Sequence, residues 1–348
     1  MATSIGAVLL LLLDSLELLH GLVSDVLYFR QATFSTSTKR SYRTHQKTYH
    51  KFCDLLRVSL VPATTSTLCL YAAYLARFLL PQSISQYLGF VGLLHREMGF
   101  PNPLSDNWVV TSVLRGIRRT LGVPPKPRLP ITISLLLGIR SRLNLNSSKH
   151  ASFWAICLVS FFGLFRKAHL LPSAETTFDP SKMFTRSDFV FSADCIFINV
   201  RWSKTIQMGQ PTVTVPLVAN PSSLLCPVSA VSLAFRLNPS ADPSVQALGW
   251  RNTASLTSSV FTYKCFMSLM KQVLSQLGIS SDRYGTHSFR RGGATYALEA
   301  GVPLDTISLL GDWKSDAMFL YLHMPLSQRI QAQRTMTSGL QEFTSAPL

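Results

Sequence analysis

The chain is short of charge, and above all of acidic charge. Only 14% of its 348 residues are charged, and 17 Asp and Glu oppose 33 Lys and Arg, for a formal net charge of +16. A basic balance of this size favours a polyanionic partner, usually DNA or RNA, although an anionic membrane or solubility would also account for it. Hydrophobic residues make up 47% of the chain, which argues against global disorder, and the length suits two ordinary domains.

The cysteines are few and scattered. The chain contains no CxxC pair and no Cys/His cluster, which argues against a zinc site. Most of the cysteines sit in apolar runs, so we expect buried small hydrophobic side chains in a reducing compartment. The six cysteines are Cys53, Cys69, Cys157, Cys195, Cys226 and Cys265.

Long hydrophobic runs are also missing. The apolar run IGAVLLLLL at 5–13 is too short to span a bilayer, and Asp14 and Glu17 interrupt it. No basic residue precedes it, so we interpret 1–32 as an unassigned leader with an amphipathic or buried helix rather than a signal peptide. The chain has no internal repeats, no GxxxxGK[ST] or GxGxxG motif and no strong nuclear localisation run.

A small helical domain is predicted for 33–121. Ser and Thr caps, helical periodicity and prolines predict helices at 38–56, 65–80, 83–98 and 107–121. Between 31 and 125, eleven Lys and Arg oppose three Asp and Glu, a local charge of +8. On the first helix Lys39, Arg43, Lys47 and Lys51 recur at i,i+4, with Arg40 beside them, which is either a solvated face or a stripe that follows DNA phosphates.

A proline-rich linker and a second domain follow. The linker, GVPPKPRLP at 122–130, reads as semi-rigid and carries Lys126 and Arg128. The second domain is predicted for 131–333, before a tail at 334–348. It combines helices at 133–143, 150–165, 261–277, 286–299, 304–310 and 316–323 with a small antiparallel sheet within 189–215.

The stretch 286–323 carries the strongest chemical signal. It reads THSFRRGGATYALEAGVPLDTISLLGDWKSDAMFLYLH, with His287 and Arg290 three apart, Trp313 after a Gly-Asp turn, and Tyr321 eight residues beyond Trp313. A phenol can attack phosphorus, and cations can hold its non-bridging oxygens. Taken singly, the aromatic residues could be core and the cations a polar helix face, so only the combination indicates phosphodiester chemistry.

This stretch resembles the C-terminal signature of the tyrosine recombinases of phage-integrase type, and the form GDWKSDA…YL looks most like the recombinases of DIRS- and Ngaro-type retrotransposons. The resemblance extends to Arg166 in SFFGLFRKAHLLP and Lys204 in VRWSKTIQMG. It implies a mainly α fold with a small antiparallel sheet: a helical core-binding (SAM-like) domain and an α+β catalytic domain. The implied catalytic set is Arg166, Lys204, His287, Arg290, Trp313 and Tyr321.

The implied roles follow the chemistry of each side chain. Arg166 and Arg290 would hold the scissile phosphate, since a guanidinium offers a planar fork of donors. Tyr321, whose ordinary pKa is about 10, would be the nucleophile, helped by His287 and the cations. Lys204 would protonate the leaving 5′-oxygen. Trp313, which stands where many members have His, would donate its indole N–H or buttress the tyrosine.

Two features depart from the family pattern. Members often have an acidic residue three after the first arginine, where this chain has His169, so the usual support of the site is in question. Lys167 and Arg291 adjoin the proposed arginines, and we prefer Arg166 and Arg290 because the GLFR and HSFR registers match.

The sequence therefore predicts a site-specific recombinase or integrase that cuts and rejoins duplex DNA through a 3′-phosphotyrosine, for integration of a mobile element. The resemblance implies a homo-tetramer on DNA and no metal, cofactor, ATP or membrane. The predicted DNA-binding residues are Lys39, Arg40, Arg43, Lys47, Lys51, Lys126 and Arg128. Alternatives are a domesticated, non-catalytic DNA-binding protein of this fold, a type IB topoisomerase-like activity, or a membrane-associated basic protein. We expect a nuclear protein if the source is eukaryotic, otherwise a cytoplasmic one, and not a secreted one.

Overall fold

The computed structural model describes residues 2–123, 128–203, 206, 212–252, 257–314, 318–319, 321–322, 330, 333–335 and 337, with 2–16 described by backbone alone. The chain divides into two compact units, Met1–Pro125 and Lys126–Leu348, and the division falls inside the proline-rich segment. Among the described residues, none of the helices is both long and apolar enough to cross a bilayer.

The first unit is all helical. Side-chain caps fix three of its helix starts: Ser35, Thr64 and Asn107 each accept a hydrogen bond from a backbone N–H of the first turn. Its buried core is rich in aromatic residues, with Tyr49, Phe52 and Tyr71 at its centre. The helices are α1 (Ala2–Ala32), α2 (Thr36–Leu56), α3 (Thr65–Ala76), α4 (Pro81–Glu97) and α5 (Trp108–Leu121).

The leader segment forms α1, but its described side chains are not buried. Every residue from 17 to 32 is exposed, including Leu22 at 52% and Phe29 at 64% of full exposure. Arg30 forms an ion pair with Glu97 at the end of α4. The expectation of a buried helix is therefore wrong for this part of the leader, because its apolar side chains lie outside the core of the unit.

The second unit combines seven helices with two small sheets among its described residues. Its helices are α6 (Ile133–Ser141), α7 (Ser148–Phe162), α8 (Lys167–Leu170), α9 (Pro227–Leu237), α10 (Tyr263–Gln276), α11 (Thr286–Glu299) and α12 (Leu304–Leu310). Its strands are β1 (Phe189–Phe191), β2 (Cys195–Val200), β3 (Val213–Val218), β4 (Trp250–Arg251) and β5 (Ser258–Ser259). The predicted fold class, mainly α with a small antiparallel sheet, is confirmed.

The larger sheet has the order β1-β2-β3, and both of its pairings are antiparallel. Ile196 and Ile198 of β2 are fully buried and lie opposite Leu217 and Val215 of β3, so one face of the sheet closes the core. The centre of that core is α7, whose residues from Ala151 to Phe161 are all buried.

Helix α11 approaches α7 and the segment before α6 very closely. A Cβ atom on Gly292 would lie 2.0 Å from the carbonyl oxygen of Ile131, and one on Gly293 would lie 1.9 Å from that of Phe161. Only glycine permits this approach. The contact fixes the first turns of α11 against the end of α7, where the residues described next converge.

Several element boundaries differ from the predictions. Helix α7 begins at Ser148 and ends at Phe162, three residues before the predicted end, because the backbone of Leu164 turns to a φ of 52°. Helix α9 and the pair β4–β5 were not predicted. The predicted helix at 316–323 falls partly outside the described residues, although the Tyr321 N–H donates to the Met318 carbonyl over 2.8 Å in a turn.

Candidate active site

Two arginines from distant parts of the second unit meet at one place. Arg166 is the N-cap residue of α8, just after α7, and Arg290 lies in the second turn of α11. Both contact the turn at Gly311 and Asp312 that follows α12. The first arginine, the HxxR helix and the Gly-Asp turn thus form a single site, although Arg166 and Asp312 are 146 residues apart in sequence.

Arg290 is held by backbone carbonyls. Its guanidinium donates to the carbonyl of Leu164 and, over 2.5 Å, to that of Gly311. Leu164 and Asp312 have positive φ values of 52° and 51°, an uncommon conformation for residues other than glycine. Each of the two carbonyls that bind Arg290 thus lies in a turn with a left-handed residue: Leu164 itself, and Asp312 directly after Gly311. Arg290 is only 2% exposed, and hydrogen bonds to these acceptors offset part of the free-energy cost of removing its guanidinium from water.

Arg166 is held by one residue. Its Nη1 donates to Oδ2 of Asp312 over 3.1 Å, and its Nη2 donates to the Asp312 carbonyl over 3.0 Å. Both side chains of this ion pair are about one-fifth exposed, at 21% each. Among the described residues these two bonds occupy two of the five N–H donors of Arg166, and the other three remain available to a ligand.

The aromatic members of the predicted set surround Arg290. The ring of Trp313 stacks on its guanidinium, with 3.7 Å from Cζ to the ring centroid, and the ring of Tyr321 lies 5.4 Å away. The Tyr321 centroid is 5.3 Å from that of Trp313 and 6.1 Å from that of His287. A Cβ at Gly311 would clash with the Trp313 ring at 1.8 Å, so glycine lets the indole lie over the turn.

The electrostatics of the site are those of a cation cluster. Burial and the nearby charge of Arg166 lower the pKa of Arg290 to about 9, against the opposing influence of Tyr321 and Asp312. Partial desolvation, followed by the charges of Arg290, Lys167, Arg166 and Arg128, lowers the pKa of His287. A bound anion would relieve this repulsion, and the N-terminus of α11 adds a partial positive charge.

His169 is buried beside both arginines. It is 4% exposed, and its ring packs against Phe165 and Phe184. Burial, and then the charges of Arg166 and Arg290, lower its pKa to about 4. The side chain is therefore neutral near pH 7 and cannot balance the arginines as a carboxylate would. Asp312 is the carboxylate that contacts Arg166 instead.

Asp312 was not predicted from the sequence. The signal that could have identified it is its place in the Gly-Asp turn directly before Trp313. A second polar residue that the sequence did not indicate is Ser203, which is fully buried and donates its hydroxyl to Oδ2 of Asp312 over 2.8 Å.

The remaining predicted residues are placed as follows. The structure brings Arg166, His287, Arg290, Trp313 and Tyr321 together, while Lys204 and Lys126 lie outside the described residues. Lys167 and Arg291, which adjoin the two arginines in the sequence, have different surroundings. The Nζ of Lys167 lies 4.4 Å from the ring centroid of Tyr263, and Arg291 is less buried than Arg290. The chemical roles of the set stay predictions.

The cationic residues predicted to bind DNA are at the surface. Lys39, Arg40, Arg43, Lys47 and Lys51 of α2 are exposed, and none has a carboxylate partner among the described residues. Three of them, Arg43, Lys47 and Lys51, line a shallow groove.

Arg128 lies in the second unit beside the cation cluster. It donates to the carbonyls of Asp282 and Tyr284 over 2.6 and 3.1 Å, and its charge is one of those that lower the pKa of His287. In the part of the chain that the structure describes, no group of three His, Cys, Asp or Glu side chains could hold a metal ion.

The chain is similar to known proteins in sequence and in fold. No family model matches the chain. The integrase/recombinase xerD homolog of Selenomonas ruminantium is 22% identical over 291 residues, which covers 81% of this chain and 80% of that protein. Among solved structures, the Tn1549 transposon integrase in complex with circular intermediate DNA superposes with a TM-score of 0.57 at 11% identity, over 89% of this chain and 97% of that one.

A lambda integrase dimer bound to a COC′ core site superposes with a TM-score of 0.54 at 13% identity, over 86% of this chain and 75% of that one. These structural likenesses extend over both units, and at such low identity they show a shared fold. Five of the six residues that the sequence singled out for phosphodiester chemistry, all but Lys204, meet at one place within that fold.

The buried histidine gives a testable pH dependence. The folded-state pKa of His169, about 4, lies below its ordinary value of 6.5. Its neutral form therefore contributes stability that is complete above pH 6.5 and is lost as the pH falls toward 4. For one site the loss is of the order of 3 kcal/mol. We expect the melting temperature to fall between pH 7.5 and pH 4.5, and to fall less in His169→Gln.

The measurement is thermal unfolding of the full chain at both pH values. His150→Gln is the matched control, because burial also lowers the pKa of His150, but to a smaller extent and away from the arginines. If the melting temperature of His169→Gln falls by as much between pH 7.5 and pH 4.5 as that of the unsubstituted chain, His169 is not held neutral by its surroundings.

Proposed function

We propose that the chain is a tyrosine recombinase that cuts and rejoins duplex DNA through a covalent bond to Tyr321. The observation that carries the proposal is that His287 and Arg290 lie beside that phenol ring, while Arg166 and Arg290 contact the same Gly311–Asp312 turn. Cations in this number, with one described carboxylate among them, suit a ligand whose negative charge is concentrated on a few oxygens.

A phosphodiester fits the donors of the cluster. In the described part of the chain, Arg166 and Arg290 each have N–H donors beyond those that bind protein acceptors, and each could donate to a non-bridging phosphate oxygen. These oxygens gain charge as phosphorus becomes pentacoordinate, and donors already fixed by the backbone need little reorganisation. Two preorganised arginines thus stabilise the transition state more than the ground state.

The proposed cleavage step moves one bond and one proton. The phenolic oxygen of Tyr321 attacks phosphorus and passes its proton to the neutral imidazole of His287, while the nearby arginines stabilise the negative charge that develops. The bond from phosphorus to the 5′-oxygen breaks, and Lys204 protonates that oxygen as it leaves. The products are a 3′-phosphotyrosine and a free 5′-hydroxyl. A 5′-hydroxyl from another strand reverses the same step, so the phosphotyrosine conserves the bond energy and no ATP is consumed.

The wider setting is also a proposal. Tn1549 integrase and lambda integrase are each described in complex with DNA, and Tn1549 integrase is that of a transposon. We propose by analogy that duplex DNA is the substrate, that a homo-tetramer assembles on it, and that the reaction integrates a mobile element. A domesticated protein with the same fold and no cleavage activity is the alternative that the first experiment below excludes or supports.

The first experiment traps the covalent complex. Incubation with a nicked suicide duplex, from which the 5′-hydroxyl fragment diffuses away, should give a protein–DNA adduct on denaturing gels. Tyr321→Phe should abolish the adduct and leave duplex binding intact, because the substitution removes only the nucleophilic oxygen. Tyr296→Phe, which removes a phenol from the exposed face of α11, is the matched control and should form the adduct at the normal rate. An adduct that persists in Tyr321→Phe would refute the assignment.

A second prediction concerns the basic face of α2. Each phosphate contact releases counterions, so affinity for duplex should fall steeply with salt. We expect stepwise replacement of Lys39, Arg43, Lys47 and Lys51 by Ala to flatten the slope of log affinity against log salt. The change should be about 0.9 per genuine contact and up to roughly 3.6 for all four.

The same replacements should weaken binding to candidate element termini and to random duplexes by similar factors, because phosphates carry no sequence information. The stepwise series is its own control, since each variant differs from the last by a single cation. A slope that stays constant through the whole series would mean that this face of α2 is exposed to solvent and does not contact DNA.

A further inference from the structure

We propose that Asp312 is a positioning residue that fixes Arg166 for phosphate binding and couples it to the segment that leads to Lys204; this inference rests on the proposed function. The family pattern described above expects an acidic residue three positions after the first arginine, and the chain has a neutral, buried His169 there. Asp312 supplies the missing carboxylate from a different part of the chain.

The contacts of Asp312 orient Arg166 without blocking it. The carboxylate and the carbonyl of this one residue bind the two Nη atoms of Arg166 over 3.1 and 3.0 Å. A guanidinium that is bound through both Nη atoms cannot rotate about its Cζ–Nε bond, so the plane of its remaining donors is fixed. Asp312 is therefore expected to remain bound to Arg166 when a phosphate occupies the other donors, rather than to be displaced.

The charge of Asp312 has a second effect on the pair of arginines. The charge of Arg166 lowers the pKa of Arg290, and that of Asp312 opposes this effect. Without the carboxylate the two guanidiniums would repel each other, and Arg166, the more exposed of the two, would move toward solvent. Asp312 thus keeps the two cations close together in the absence of DNA.

The same carboxylate reaches the segment that precedes the proposed general acid. Oδ2 of Asp312 accepts the hydroxyl hydrogen of Ser203, which is fully buried and directly precedes Lys204. The Oγ of Ser203 also accepts the N–H of Ile206 over 3.2 Å, and the two residues form an isolated β-bridge. One oxygen therefore links the first arginine to Ser203, the residue that directly precedes Lys204 in the sequence.

The backbone at Asp312 suits this role and guides the choice of variant. Its φ of 51° is in the left-handed region, where Asp and Asn are tolerated better than other residues that carry a side chain. Asp312→Asn therefore removes the charge while keeping the shape and the turn. Asp305→Asn is the matched control, because Asp305 is an exposed carboxylate of α12 only seven residues away.

One arm of the test examines Arg166 directly in the free protein. Side-chain nitrogen–proton NMR spectra of arginine-labelled protein, with the Arg166 signals assigned by Arg166→Lys, should give separate Nη resonances because rotation about Cζ–Nε is blocked. An Asn oxygen still accepts from Nη1 but binds it more weakly than a carboxylate, so we expect exchange between these resonances to become faster in Asp312→Asn and to stay unchanged in Asp305→Asn. Resonances that are unchanged in Asp312→Asn would overturn the proposal, whatever the protein does to DNA.

The other arm measures adduct formation on the suicide duplex in a single turnover. We expect Asp312→Asn to slow the adduct roughly 10- to 100-fold, the scale of a misplaced catalytic group, with little change in duplex affinity. Asp305→Asn should react at the normal rate. Adding Asp312→Asn to Arg166→Lys should cause almost no further loss, because both substitutions act on the same guanidinium.

The outcomes separate this inference from the proposed function. A normal rate for Asp312→Asn, or a double variant whose defect is the product of the two single defects, would overturn the positioning role. If the unsubstituted chain forms no adduct with any duplex while exchange between the Arg166 resonances becomes faster in Asp312→Asn, the proposed function fails. In that case Asp312 still fixes the arginine, and the NMR result stands by itself.

Discussion

The site depends on holding two arginines close together inside a protein. Arg166 and Arg290 repel each other, and Arg290 is almost fully buried, so neither charge is stable without nearby acceptors. The acceptors are three backbone carbonyls and one carboxylate, supplied by the turns at Leu164 and at Gly311–Asp312. Among the described residues, N–H donors of both guanidiniums have no protein acceptor, and a phosphate is a ligand that suits them.

The surrounding fold serves this requirement. The glycines of α11 let Arg290 approach the end of α7, where the chain turns at Leu164 and continues to Arg166. Gly311 makes room for the indole that stacks on Arg290. The left-handed turns and the close helix contact each cost conformational free energy, and the buried core around α7 offsets that cost. Strain concentrated at one place in this way is typical of functional sites.

Local features made much of the fold predictable. The helices with side-chain caps, such as α2 and α3, and the alternating strand β2 follow from short stretches of sequence. Helix α9 escaped prediction because it lies among Pro, Ser and Asn residues that suggest a loop, although Pro227 occupies its first turn. The exposure of the leader helix also escaped, because an apolar composition does not say whether a partner surface exists.

The candidate site was predictable to the extent that its residues form a motif. His287, Arg290, Trp313 and Tyr321 are close in sequence and follow a recognisable order, and Arg166 was indicated only by its GLFR context. Asp312 and Ser203 could not be predicted in the same way. Asp312 contacts Arg166 and Ser203, which lie 146 and 109 residues before it in the sequence. Contacts of this kind depend on tertiary packing, which no local pattern records.

The central claim is that Arg166 and Arg290 form one preorganised phosphate site beside Tyr321. A crystal structure of Tyr321→Phe bound to an uncleaved duplex tests this claim most directly, because the scissile phosphate then stays in place. We expect both guanidiniums to bind non-bridging oxygens of the phosphate nearest residue 321, while Arg290 keeps the carbonyls of Leu164 and Gly311 and Arg166 keeps Asp312. A phosphate bound instead by Lys167 or Arg291, or an Arg166 that has left Asp312, would contradict the account.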